Sequence, residues 1–172
     1  MEEHPVKHPV MPQLTFREQV GPGDVEPIRS LVETTGFFNP EEVLIAAELV
    51  EERLAKGEKS GYHFILAQEP SGRILGYTCY GPVPGTKSSF DLYWIAVDRS
   101  CQGRGIGRLL MERTERSAMA MGCSRIYVET SSRGLYDPTR RFYRSCGYRE
   151  EALLKDFYAP GDSKVIFSKA LV

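Results

Sequence analysis

Gln102-Gly103-Arg104-Gly105-Ile106-Gly107-Arg108 lies between two apolar runs of different period. Before it, Phe90-Asp91-Leu92-Tyr93-Trp94-Ile95-Ala96-Val97 reads as a strand that is largely apolar on both faces, as a central strand should be. After it, residues 106–121 read as a helix. A strand, a glycine-rich turn and a helix N-terminus make an anion cradle. The turn leaves backbone N–H groups unpaired, and the helix dipole adds partial positive charge there. A phosphorylated ligand is the expectation. A nucleoside-triphosphate loop would need a Lys-Ser or Lys-Thr pair after its glycines, and none follows. A dinucleotide loop would need Gly-x-Gly-x-x-Gly, whereas these glycines stand at 103, 105 and 107. A third pattern, Gln/Arg-x-x-Gly-x-Gly/Ala, is filled by Gln102, Gly105 and Gly107. Three glycines alone could mark an ordinary tight turn; the flanking strand and helix argue for the cradle.

The chain has 172 residues, 41% of them hydrophobic, enough for one domain with a proper core. A net charge of −1 gives no global basic footprint for nucleic acid. Positive charge is local: Arg133, Arg140, Arg141 and Arg144 crowd one segment, and Arg104 and Arg108 flank the glycine turn. They form either a solvated face or a field for a phosphorylated ligand. Cysteines 79, 101, 123 and 146 and histidines 4, 8 and 63 lack ligand spacing, so no metal is expected. Free thiols in a reducing cytosol account for the cysteines. Cys101 lies near the glycine turn, but no histidine is placed to activate it. No apolar run approaches the roughly 18 residues of a membrane span, and the N-terminus lacks the apolar core of a secretory signal. A cytoplasmic location is expected. Residues 1–12, with two His-Pro-Val triplets, read as a loose tail; residues 13–172 read as the single folded domain.

Leu14 to Arg17 reads as a first strand, broken by Gly21-Pro22-Gly23-Asp24, with Asp24 as N-cap of a helix ending near Gly36. A second helix opens with Asn39 as cap, Pro40 in the first position and Glu42 completing a capping box. Val43, Ala46, Ala47, Val50 and Leu54 form its apolar stripe. Strands follow at 62–68, 74–80 and 90–97, then the glycine turn and its helix, with Glu112 and Arg116 as an i,i+4 pair. Residues 125–130 make a further strand, expected parallel to the previous one. Asp137 caps a short helix that Gly147 stops, and 151–157 and 164–171 are the last strands. The order β-α-α-β-β-β-α-β-α-β-β is an α/β fold, a mixed sheet with helices on both faces.

That order resembles the GCN5-related N-acetyltransferases (GNAT) over roughly residues 13–172, and two motifs carry the resemblance. Ile95-Ala96-Val97-Asp98 followed by the Gln102–Gly107 pattern is similar to the family's motif that binds the pyrophosphate of acetyl-CoA. Phe142-Tyr143-Arg144-Ser145-Cys146-Gly147-Tyr148 is similar to its Phe-Tyr-x-x-x-Gly-Phe segment. RimI-type members give the nearest impression. The resemblance implies acetyl-CoA as cosubstrate and an amine as acceptor: a protein N-terminus, a lysine, a polyamine or a small metabolite. Cosubstrate contacts then fall at Ile95, Ala96 and Val97, at Gln102, Gly103, Arg104, Gly105, Ile106, Gly107 and Arg108, and at Thr139 and Phe142.

Acetyl transfer must hold the thioester, polarise its carbonyl, deprotonate the ammonium and protonate the departing thiolate. The resemblance gives the last task to Tyr143, whose phenol has an ordinary pKa near 10; sequence alone reads it as one core ring among nine tyrosines. Two carboxylates compete as base. Glu129 matches the RimI-type glutamate and is ranked first; Asp91 stands where histone-type members carry glutamate. Each is otherwise a strand-end carboxylate facing water, and a water chain can also remove the proton. Alternation puts Asp91, Tyr93, Ile95 and Val97 on one face. Many members carry an Asn before the short helix; residues 131–138 have none, and Thr139 and Arg140 are the candidates to replace it. The acceptor pocket is expected between the first two helices, the 82–89 loop and the 158–162 turn, lined by Phe37, Phe38 and Tyr158. Two further readings remain: a non-catalytic acyl-CoA-binding module, and a transferase for another acyl chain or acceptor. The final strands leave room for a homodimer.

Overall fold

The computed structural model describes residues 13–171, so the expected tail at 1–12 lies outside the described residues. The elements are β1 Thr15–Arg17, α1 Val25–Thr34, α2 Pro40–Lys56, β2 His63–Gln68, β3 Ile74–Pro82, β4 Ser89–Val97, α3 Ile106–Ala120, β5 Arg125–Ser131, α4 Asp137–Ser145, β6 Arg149–Ala159 and β7 Asp162–Ala170. This is the order read from the sequence. The strands form one seven-stranded sheet, β1-β2-β3-β4-β5-β7-β6. Its α/β architecture has α1 and α2 on one face and α3 and α4 on the other. Ile28, Leu31, Val32, Val43, Ala46 and Val50 pack on Phe64, Leu66 and Tyr77. Ile106, Leu110, Met111, Ala118 and Tyr143 pack on Ile65, Ile126, Val128 and Phe167.

Among the described residues only β4 and β5 run parallel, for three rungs: Ser89–Arg125, Phe90–Ile126 and Asp91–Tyr127. Beyond Asp91 the two strands part. β4 stays on β3 as far as the Val97–Gly76 pair, and β5 stays on β7 as far as Ser131–Lys164. A fork therefore opens inside the sheet. On the β3 side the register slips between Cys79–Trp94 and Tyr80–Leu92, which makes Tyr93 an extra residue on β4. Such a bulge adds twist and shifts the side-chain phase beyond it. Phe90 and Leu92 belong to the α3/α4 core; past the bulge Ile95 and Val97 return to that core, while Trp94 and Ala96 join the α1/α2 core. Asp91 thus faces away from Ile95 and Val97, and the expectation of one shared face fails at the bulge.

The α2 start forms as read: the Asn39 side chain accepts from the Glu42 N–H at 2.9 Å, and the Glu42 carboxylate accepts from the Asn39 N–H at 2.8 Å. The two aspartate caps do not. Asp24 accepts from Arg17 and from the Gly21 N–H at 2.7 Å instead of from α1. Asp137 is the first residue of α4 and pairs with Arg140. In both cases a nearby guanidinium outcompetes the helix amides, because charge-assisted bonds are stronger. Arg116 donates to the Glu112 carbonyl at 3.4 Å, not to its carboxylate. Leu54, near the end of α2, is 38% exposed. Edge strand β6 is exposed nearly throughout. It bulges between Glu150 and Ala152 and again between Leu154 and Ala159, and it carries Arg149, Glu150, Glu151, Lys155 and Asp156. Natural sheets discourage strand addition in this way, although the same edge also exposes Leu153, Leu154, Phe157 and Tyr158.

α3 is locked to β3 by one polar contact in the core. Thr78 and Thr114, both fully buried, share a hydroxyl hydrogen bond of 2.7 Å. Thr114→Val leaves the Thr78 hydroxyl buried without that partner, at an expected cost of about 1–3 kcal/mol. Adding Thr78→Val removes the orphan, so the double variant is expected to lose less than the sum of the two single losses. Denaturant unfolding of the four proteins checks this, and strict additivity would contradict it.

Candidate active site

The cradle is built from backbone. Asp98, just after β4, accepts from the Ser100 N–H at 2.9 Å and from Arg73 at 2.8 Å, which starts the turn. Gln102 reaches back, its Nε2 donating to the Val97 carbonyl at 3.1 Å. Gly103 and Gly105 have φ of 75° and 84°, a region that costs other residues roughly 1–2 kcal/mol. A Cβ at either glycine would meet nothing within 4 Å, so the ground before the turn is open. Gly105 is the N-cap of α3, and no side chain caps the helix. The Leu109 N–H bonds to the Gly105 carbonyl at 3.1 Å, which leaves the N–H groups of Ile106, Gly107 and Arg108 as orphan donors of the first turn.

Gly107 has a different use: a Cβ there would lie 3.2 Å from the Phe142 ring. Its absence lets α4 lie close against the start of α3. Arg108 turns away from the cradle and donates to the Ser145 carbonyl at 3.1 Å. The arginines expected to build a positive field are mostly paired: Arg133 with Asp162 at 3.1 Å, Arg140 with Asp137, and Arg144 with Glu150 at 3.0 Å. The groups left free to meet an anion at the cradle are its amides and exposed Arg104.

The fork continues from the cradle. The Asp98 N–H bonds to the Leu75 carbonyl of β3 at 2.8 Å. By alternation Ile95 and Val97 turn their backbone groups to the fork and Ala96 turns to β3. The Ala96 methyl is buried in the α1/α2 core, so Ala96 is the member of the expected contact set that does not face the opening. An open strand edge accepts an extended amide chain as an added strand.

On the α3/α4 side of the fork sits Tyr143. It is 4% exposed, with its ring 5.6, 6.1 and 5.8 Å from those of Phe142, Tyr148 and Phe167. Burial pushes its phenol well above the ordinary 10, so it carries its proton throughout the neutral range. Thr139, partly buried, lies in the first turn of α4. Arg140 is spent on the preceding loop, donating to the carbonyls of Ser131 and Arg133. Ser131 donates to Asp162, and the Ser132 N–H donates to the Ser163 carbonyl at 2.8 Å, so the loop lacking the asparagine is anchored to the β6–β7 turn.

On the α1/α2 side, Asp91 stands on the last parallel rung. Glu129 follows two residues after its partner Tyr127, on the same face. Burial, and then the negative charge of Glu129, raise the Asp91 carboxyl above its ordinary 3.8; Lys164 acts in the opposite sense. Lys164 Nζ lies 2.6 Å from Glu129 Oε2 and 3.7 Å from the centre of the Phe157 ring. Sequence reading took Lys164 only as the start of a strand, because the register of β7 on β5 is not written in either segment.

Around this triad the Tyr158 hydroxyl is pushed up to about 12, by burial and then by Glu129, Asp162 and Glu42. Tyr136 donates to the Phe37 carbonyl at 3.0 Å. Phe37, Tyr136 and Tyr158 thus rim the mouth, whereas Phe38 packs on Trp94 at 5.1 Å. The 82–89 loop is held at the closed end of the fork, where the Ser88 carbonyl accepts from the Ser124 N–H at 2.9 Å. A cleft of about 450 Å³ lies elsewhere, between α1 and the start of β3. Its charged residues are already paired, Asp24 with Arg17 and Arg73 with Asp98. The fork is an open slot, and the chemistry-bearing groups converge there.

Asp91 lends itself to a stability test. A carboxyl raised in the folded state favours the protonated form, so its ionisation opposes folding above the ordinary value of 3.8. Asp91→Asn is expected to raise the melting temperature at pH 7. The gain should shrink as pH falls through the ordinary carboxylate range. A variant less stable than the wild type at pH 7 would contradict a strained carboxylate.

The profile of the Acetyltransferase (GNAT) family matches residues 28–148. Among curated proteins, an uncharacterized N-acetyltransferase of Methanocaldococcus jannaschii is 30% identical over 102 residues, 59% of this chain and 62% of that protein. The chain spans about three fifths of the length of the curated relatives it matches, 62% and 57%. A solved GNAT-family structure from Desulfovibrio desulfuricans superimposes with a TM-score of 0.91 at 45% identity, covering 92% of this chain and 99% of that one. An aminoglycoside 6'-N-acetyltransferase complexed with coenzyme A shares the fold, with a TM-score of 0.74 at 18% identity over 92% and 97% of the two chains. With its fold, glycine cradle and forked sheet, the chain belongs to the GNAT acetyltransferase family.

Proposed function

We propose that this chain is an acetyl-CoA-dependent N-acetyltransferase, passing the acetyl group to a primary amine by direct attack in a ternary complex. The observation that carries this reading is the fork, with an anion cradle at its open end, unpaired strand amides along one edge, a buried phenol on one face and two carboxylates on the other. A protein of the same fold holds coenzyme A, which supports a CoA thioester as the donor. The buried, unpaired cysteines fit a cytoplasmic site of action. Among the described residues no helix is long and apolar enough to cross a membrane.

The amides from Gly103 to Arg108 hold the pyrophosphate, and the edge at Ile95 and Val97 pairs with the pantetheine amides. An N–H of that edge polarises the thioester carbonyl. The amine enters from the α1/α2 side, past Phe37, Tyr136 and Tyr158, and loses its proton to the carboxylate pair Asp91 and Glu129. As the new C–N bond forms and the C–S bond breaks, Tyr143 gives its proton to the thiolate from the opposite face. The placement of acid and base on the two faces keeps the proton donor away from the amine that must stay neutral.

Turnover is read as thiol release from acetyl-CoA with a panel of primary amines. A chain that binds CoA and shows no turnover with any amine would favour the non-catalytic module. Gly105→Glu places a side chain and a negative charge in the cradle and is expected to abolish the thermal stabilisation by CoA, about 2.7 kcal/mol at 100 times the dissociation constant. Unchanged CoA binding would put the site elsewhere. Tyr143→Phe keeps the ring and removes the donor; turnover is expected to fall about 10²-fold, with CoA affinity little changed. Unchanged turnover, with chemistry rate-limiting, would return Tyr143 to a packing role.

A further inference from the structure

We infer that Lys164 is a positioning residue that divides the work of the two carboxylates: its ammonium holds Glu129 in an ion pair and leaves Asp91 to take the acceptor's proton. This rests on the acetyltransferase reading and reverses the order in which the family resemblance ranks the two carboxylates. The geometry is specific. Lys164 is fixed on three sides, by Glu129 Oε2 at 2.6 Å and by the Phe157 and Tyr158 rings at 3.7 and 5.7 Å. Its side chain is only 12% exposed. An ammonium so enclosed has lost most of its water and needs its counter-ion, so Glu129 is committed to it. Asp91 has no ion-pair partner among the described residues. It stands on the rung where the fork opens, nearest in the strand to the edge that receives the thioester.

The charged and titratable groups facing this triad are few. From β4 they are Asp91 and Tyr93, whose phenol the Asp91 charge helps to raise. From β5 the group is Glu129, and from β7 it is Lys164. From the end of β6 comes Tyr158, from the start of β7 Asp162, from α2 Glu42 and from the loop before α4 Tyr136; after burial, Glu129, Asp162, Glu42 and Tyr136 all raise Tyr158. Lys164 and Glu129 act on Asp91 in opposite senses. Removing the ammonium is therefore expected to raise the Asp91 titration, and neutralising Glu129 is expected to lower it.

The test follows the Asp91 carboxyl by side-chain carbon NMR across pH in the wild type, Lys164→Met, Lys164→Arg and Glu129→Gln. The same proteins give pH profiles of kcat/KM. The Asp91 midpoint is expected to move up in Lys164→Met, to return in Lys164→Arg and to move down in Glu129→Gln. The acidic limb of kcat/KM should follow it in each variant and vanish in Asp91→Asn. An Asp91 midpoint unmoved by Lys164→Met overturns the inference, as does an acidic limb that vanishes in Glu129→Gln and survives in Asp91→Asn. If wild-type protein acetylates no amine, the acetyltransferase reading fails by itself, and the NMR midpoints still decide whether Lys164 controls Asp91.

Discussion

Three rungs of parallel pairing hold β4 to β5, and everything of chemical interest in this protein depends on their stopping at Asp91. A parallel pair inside a sheet normally satisfies the backbone of both strands along their length. Here each strand keeps its outer partner, β3 or β7, while the inner edges diverge. The bulge at Tyr93 accompanies the divergence and changes which side chains face which helix layer. The unpaired inner edge of β4 is a standing demand for hydrogen-bond partners. It leads straight into a second such demand, the orphan amides at the start of α3. The two together are matched by a ligand with amides along an extended arm and an anion at its end.

The same divergence separates the proposed acid from the proposed bases. Because the fork passes through the sheet, groups on opposite faces can approach one point from two sides without touching each other. Tyr143 is held in an aromatic setting where its proton is secure. Asp91 and Glu129 sit on the other face, where one carboxylate is bound to an ammonium and the other is raised by burial. Burial that strengthens the proton on the phenol and raises the Asp91 carboxyl suits the proposed acid and base roles at one pH.

Much of the fold was legible, because it is written in local signals. The Asn39-Pro40-Glu42 start of α2 is a complete capping box and forms as read. The glycines at 103 and 105 take the positive φ that their turn requires. Asp24 and Asp137 look like caps too, but distant or neighbouring arginines claim them, and no local rule ranks those competitors. The shape of the candidate site was legible at the cradle, where contiguous residues form the turn. It was poorly legible where strands meet: the bulge that turns Asp91 away from Ile95 depends on the register of β3 on β4, and the Lys164–Glu129 pair depends on the register of β7 on β5. The side chains of Arg108 and Arg140 join α3 to α4 and brace the loop before α4, pairings that no local signal announces.

The inner edge of β4 as the seat of an acyl-CoA is open to direct measurement by amide hydrogen exchange with and without acetyl-CoA. The Asp98 amide is already bonded to Leu75 and should exchange alike in both states. The Ile95 and Val97 amides, which face the fork, should slow on binding, together with those from Gly103 to Arg108. Protection confined to the cavity between α1 and β3, with the Ile95 and Val97 amides unchanged, would contradict the fork as the binding site.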